Sequence, residues 1–204
     1  GGPDSLELLY ASDPSISLYY FHKQLNIKNE FKPTDFIQVN GNVNELMVMK
    51  VLDLLDLKEN HEVVDLFCGI GNFTIPIAQR VKKVIGIEYS EDLVDRARKN
   101  SSINNVHNAD FICEDLECVS KKWEDLNCDR LLLDPSRNGA LEVIKNIRMF
   151  SPNKIVYVSC HPGTLARDSD LLVNQFGYVM SSAGIIDMFP HTSHVESVAV
   201  FDRE

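Results

Sequence analysis

Residues 62–74 read Glu62-Val63-Val64-Asp65-Leu66-Phe67-Cys68-Gly69-Ile70-Gly71-Asn72-Phe73-Thr74. A β-rich run breaks into two glycines one residue apart, and a helix is expected to follow through Gln79. Strand, glycine turn and helix form the opening unit of a doubly wound sheet, whose backbone turns tightly at the glycines and approaches a ligand there. The third glycine of a dinucleotide fingerprint is missing, since Thr74 stands in its place. That disfavours a pyrophosphate and favours a cofactor that carries no phosphate.

Working outward, further strands are expected at Lys83–Glu88, Asp110–Cys113, Asp129–Asp134 and Lys154–Ser159. Helices are expected at Ser90–Ser101, Leu141–Met149 and from about Thr164 to Gln175. Tyr178–Ile186 and Val195–Phe201 pair as an antiparallel end. Upstream, Asn42 is expected to cap a helix carrying Val43, Leu46, Met47, Val51, Leu54 and Leu55 at helical spacing. Before Glu30 the pattern weakens, with Leu6–Tyr10 and Ser17–Phe21 as two candidate strands around a turn at Asp13-Pro14. Alternating β and α units imply an α/β, Rossmann-like fold: a doubly wound, mostly parallel sheet covered on both faces.

The chain has 204 residues, 44% hydrophobic and 25% charged, a composition that excludes disordered and low-complexity classes and suits one soluble domain. Neither a membrane-spanning run nor a signal segment is visible. Five cysteines in no C-x-x-C pair read as reduced, intracellular thiols. Lys and Arg number 20 against 30 Asp and Glu, a net charge of −10. Such a balance argues against a stand-alone nucleic-acid binder.

Two groups of residues carry the chemistry. Glu88 ends the strand after the glycine turn, where a carboxylate accepts both ribose hydroxyls. Asp115, just past the next strand, is placed for an adenine amino group. With the glycine turn, these read as an S-adenosylmethionine (SAM) site, although a G-x-G alone also describes an ordinary tight turn. The second group begins with Leu133-Asp134-Pro135-Ser136-Arg137. Amino-group methyltransferases place an aromatic residue after this proline turn, whereas Arg137 offers a guanidinium fork for a phosphate or carbonyl.

Cys160 follows the fifth strand and precedes a helix N-terminus, a setting that lowers a thiol pKa from about 8.5. Cys113, Cys118 and Cys128 read as small buried hydrophobes, and Cys68 as packing inside the glycine turn. Cys160, His161, His191, His194 and Glu196 could in principle bind zinc, but they lie on different loops with no recognisable ligand spacing.

Five co-linear motifs then carry a resemblance: Phe36–Asn40, Asp65–Thr74, Leu131–Arg137, Ser159–Asp168 and Phe189–Ser197. Together they resemble the uracil-C5 RNA methyltransferase family, most closely its bacterial 23S ribosomal RNA branch, with a transfer-RNA enzyme as the alternative. The resemblance implies a class I SAM-dependent domain with a seven-stranded sheet and an antiparallel C-terminal strand. It implies that Gln38, Phe67, Asn72, Glu88, Asp115 and Asp134 line the SAM pocket. Cys160 becomes the nucleophile and Glu196 the base, while Arg137 meets the substrate.

The family usually has Asn where this chain has His161, and alanine where it has Gly163. Its members also carry an N-terminal β-barrel and a central RNA-binding region, and the 23S branch often carries an iron–sulfur cluster. None of these is visible here. The expectation is therefore a metal-free, monomeric, cytoplasmic catalytic piece, residues 31–204, preceded in 1–30 by the tail of the central region. A basic RNA-docking surface elsewhere would explain the charge.

Overall fold

The computed structural model describes residues 17–118, 121–192 and 194–203. The candidate strand Leu6–Tyr10 lies outside them. The elements run β1 (Leu18–His22), β2 (Ile27–Phe31), α1 (Gly41–Leu54), β3 (Glu62–Leu66), α2 (Thr74–Ala78), β4 (Lys83–Glu88), α3 (Glu91–Ile103) and β5 (Ala109–Cys113). They continue with β6 (Arg130–Leu133), α4 (Leu141–Lys145), β7 (Lys154–Ser159), α5 (Pro162–Asn174), β8 (Tyr178–Ile186) and β9 (Glu196–Arg203).

Seven strands form one sheet in the order β5-β4-β3-β6-β7-β9-β8. The β3, β4, β5, β6 and β7 pairings are parallel, and β9 runs antiparallel to both of its neighbours. This is the mostly parallel α/β sheet expected from the alternation. Its winding reverses between β3 and β6, and the carboxyl ends of those two strands frame the crevice where doubly wound sheets hold ligands.

The inner strands are buried on both faces, which explains their continuous apolar runs. Side chains alternate across the sheet. Val64, Leu66, Leu131, Leu133, Ile155 and Tyr157 pack on one side with Trp123 and α4. Val63, Leu132, Val156 and Val158 pack on the other with Met47, Val48 and Val51 of α1. At Gly86 in β4 a Cβ would stand 2.8 Å from Cys68 Sγ and 2.9 Å from Phe111 Cδ1, so only glycine lets the glycine turn and β5 approach this closely.

Three local expectations change. The cap of α1 is Asn40, whose Oδ1 accepts from Val43 N at 3.3 Å; Asn42 already lies inside the first turn. The helix expected over Leu141–Met149 divides into α4 and a 3-10 turn at Ile147–Met149. The third change is upstream, where β1 pairs with an unanticipated β2 as an antiparallel hairpin. That hairpin docks on α3: Asn104 Oδ1 accepts from Lys28 N at 2.9 Å, and Asn100 Oδ1 from Glu30 N at 2.8 Å.

Candidate active site

A cavity of about 460 Å³ opens beyond the carboxyl ends of β3, β4, β6 and β7. Its walls include Gln38, Phe67, Asn72, Glu88, Asp134, Arg137, Cys160 and Glu196, which the fold gathers from six separate stretches of chain. A more open groove of about 590 Å³ runs along β5 and α3, and none of those residues lines it.

One end of the cavity is the glycine loop. Phe67, Gly69 and Gly71 all adopt positive φ, at 65°, 54° and 89°. The strained Phe67 is pinned because its N–H, and that of Cys68, donate to Ile87 O at 2.9 and 3.2 Å. Glu88 holds the loop and the start of α3 together: Oε2 accepts from Gly69 N at 3.2 Å, and Oε1 from Ser90 N at 3.0 Å. Beneath the loop lies Asp65, fully buried, whose Oδ2 accepts from Thr74 Oγ1 at 2.5 Å. Burial pushes its carboxyl up to about 7, the Thr74 bond opposes this, and the Glu88 charge adds to it. Cys68 packs inside the turn as expected, and burial holds its thiol well above the usual range.

Asp115 does not line this cavity. Its Oδ1 accepts from Glu117 N at 2.9 Å, closing a local turn, and its hydrogen bond and charge raise the Cys118 thiol. Cys118 is exposed, not the buried hydrophobe its residue type suggests, because this turn carries it outward.

The other end is built by strand register. Because β9 runs antiparallel to β7, Ser159 pairs with Ser197, which brings Cys160 and Glu196 to the same sheet edge. Asp134 reaches that edge from the end of parallel β6. Burial raises the Glu196 carboxyl. Asp134 is raised well above the carboxylate range, by burial first and then by the charges of Glu196 and Asp65.

Cys160 moves the opposite way from the sequence expectation. Burial raises its thiol, the charges of Glu196 and Asp134 add to this, and Arg137 only partly offsets them. A helix N-terminus next door is outweighed by two carboxylates and lost solvation.

His161 does not point at Cys160's chemistry; it caps α5, its Nδ1 accepting from Thr164 N at 3.2 Å. Asparagine would offer an amide oxygen for the same bond. The neighbouring Gly163 makes room for the larger ring, since a Cβ there would sit 3.0 Å from His161 Cε1. The two family departures thus form one steric unit. His161→Ala should lower stability by about 1 kcal/mol through the lost cap. Gly163→Ala gains helix propensity but crowds the His161 ring, so adding His161→Asn to it should raise stability further, as read by urea denaturation of the four proteins.

Arg137 is exposed, with Nη2 3.4 Å from His194 Nδ1. Among the described residues no three His, Cys, Asp or Glu side chains converge as metal ligands. The sequence reading missed Tyr20, which lines the cavity, and its partner His22. Their spacing on one strand face was the available signal.

A profile of the tRNA (Uracil-5-)-methyltransferase family matches residues 19–204. The chain belongs to that family. It is 48% identical over 205 residues to the 23S rRNA (uracil(1939)-C(5))-methyltransferase RlmD of Xylella fastidiosa (strain 9a5c), covering 100% of this chain and 46% of that protein. The enzyme of the same name from Legionella pneumophila (strain Corby) is 46% identical with the same coverage. This family member therefore spans about half the length of those curated relatives.

The crystal structure of Pyrococcus abyssi tRNA (uracil-54, C5)-methyltransferase in complex with S-adenosyl-L-homocysteine superposes with a TM-score of 0.78 at 32% identity, covering 91% of this chain and 44% of that one. The crystal structure of M. jannaschii TYW2 in complex with AdoMet superposes with a TM-score of 0.69 at 19% identity, over 97% of this chain and 90% of that one, which speaks to the fold alone.

Proposed function

We propose that residues 31–204 form the catalytic domain of a SAM-dependent RNA methyltransferase that modifies C5 of a uridine in 23S ribosomal RNA, with 1–30 the tail of a preceding RNA-binding region. The observation that carries this is the β7–β9 register, which places Cys160 and Glu196 together on one wall of a cavity whose other end is the glycine loop and Glu88. The 23S substrate is favoured over transfer RNA because the rRNA enzymes are 46–48% identical, against 32% for the tRNA enzyme.

The cavity suits a ligand with polar edges. Gln38 Oε1 is buried without a hydrogen-bond partner, an acceptor awaiting a donor. Gln38, Phe67 and Glu88, with the backbone around Gly69, would hold SAM, which supplies a methyl group on a sulfonium. Asn72 contributes through the loop it anchors. Asp115, which stands outside the walls of this cavity, is not assigned a SAM contact.

Carbon 5 of uracil is a poor nucleophile. Cys160, once its S–H proton has passed to solvent, adds as the thiolate to C6, and the C5–C6 electron pair moves onto the ring as an enolate, which makes C5 nucleophilic. After methylation C5 still carries its proton. Glu196 takes that proton, the C5–C6 double bond reforms, and the C6–sulfur bond breaks to release Cys160. A carboxyl raised by burial is a better base near neutrality than an ordinary glutamate. Asp134 and Arg137 hold the base edge and stabilise charge on the ring. The target base must leave its stack to reach these groups.

Among the described residues no helix is long and apolar enough to cross a membrane. A cytoplasmic, monomeric enzyme is part of the same proposal. The test is methyl transfer from labelled SAM to 23S rRNA and tRNA transcripts. Incorporation into a uridine of the 23S transcript supports this reading, and incorporation into tRNA alone sinks the choice of substrate.

A further inference from the structure

We propose that the β1–β2 hairpin positions the glycine loop, and that Tyr20 and His22, acting through Asn72, set the cavity's affinity for SAM. The inference rests on the cofactor reading above.

The loop is tied to the hairpin on both sides of Gly71. On one side, Asn72 Oδ1 accepts from Tyr20 Oη at 2.9 Å, His22 Nε2 at 3.1 Å and Asn44 Nδ2 at 3.0 Å. Asn72 Nδ2 donates in return to Asn44 Oδ1 at 3.0 Å. A carbonyl oxygen has two lone pairs, so three donors saturate it and leave none for a ligand. The oxygen of Asn72 is therefore spent as an anchor, while its second amide N–H is left for the cavity that the residue lines. On the other side, buried Asn100 donates to Ile70 O at 3.1 Å and to Glu30 O at 3.0 Å.

These bonds have the protonation they need. Burial pushes the Tyr20 phenol far above its usual range, so it remains a donor. Burial lowers His22 and so keeps its ring neutral; the oxygen of Asn72 facing Nε2 at 3.1 Å calls for the tautomer that carries its proton there. A loop with glycines at 69 and 71 has much freedom to lose on binding, and bonds that order it beforehand reduce that cost. Tyr20 and His22 are thus positioning residues: they act on the ligand through the loop.

The test is calorimetric titration with S-adenosylhomocysteine, alongside melting of the unliganded proteins. Tyr20→Phe and His22→Leu should each weaken binding about 3- to 10-fold, the worth of one hydrogen bond. His22→Gln, which retains an N–H donor, should stay within about twofold of the unsubstituted chain. A merely structural role would lower the melting temperature and leave the affinity of the folded protein unchanged. Unchanged affinity in Tyr20→Phe and His22→Leu overturns this inference alone. If His22→Leu does not fold, Tyr20→Phe decides it. No binding by the unsubstituted chain overturns the cofactor reading and this inference with it.

Discussion

Cys160→Ala should abolish methyl transfer, by on the order of 10⁴-fold or more, the scale of losing a covalent nucleophile. Cys160 sits half-buried at the end of β7, and its thiol carries no hydrogen bond that the fold depends on. Folding and cofactor affinity should therefore survive, and melting curves with S-adenosylhomocysteine check both. Burial and surroundings set Cys160 apart from the other thiols. Cys68 is packed under the loop and Cys128 is held far above the ordinary range by burial, so alanine there should change stability more than turnover. Comparable turnover in Cys160→Ala would remove the covalent step.

Glu196→Gln should produce a different failure. Cys160 can still add to C6 and C5 can still be methylated, but nothing takes the C5 proton. The methylated adduct should accumulate on ordinary RNA, with turnover down roughly 10²- to 10⁴-fold, the range for a lost general base. A denaturing gel resolves the adduct. The same substitution tests the electrostatics. Glu196 is one of the charges that raises the Cys160 thiol, so removing it should lower that pKa. In the unsubstituted chain, alkylation of Cys160 by iodoacetamide should rise with pH through and beyond about 8.5, the free-thiol value. In Glu196→Gln the rise should come at lower pH, giving faster alkylation at any pH below it. Peptide mapping distinguishes Cys160 from exposed Cys118. Identical pH profiles would mean that the two groups do not interact.

Much of this architecture was legible because parallel strands buried on two faces leave continuous apolar runs. Lys83–Glu88 and Lys154–Ser159 match β4 and β7 end for end. The hairpin strand Ile27-Lys28-Asn29-Glu30-Phe31 was not legible, since it buries Asn29 and Glu30, which polarity alone assigns to the surface. Glu30 is accommodated by Asn100 and by Lys99, whose Nζ lies 2.5 Å from its carboxylate, and those partners lie about 70 residues away. Glu196 stood out as a motif carboxylate, but its nearness to Cys160 depends on the antiparallel β9 register. The upward shift of Cys160 was invisible for the same reason: burial and the Asp134 charge are supplied by other strands. Asp115 shows the converse, a motif acid at the right strand end whose side chain serves its own turn.

The whole mechanism turns on covalent catalysis by Cys160 on uracil C6. The most direct measurement is trapping with RNA that carries 5-fluorouridine at the target position, whose C5 fluorine cannot be removed as a proton. With SAM present, a protein–RNA band should form that survives denaturation and disappears in Cys160→Ala. A band that persists in Cys160→Ala, or methylation of ordinary uridine with no trapped band on the fluorinated RNA, would contradict it.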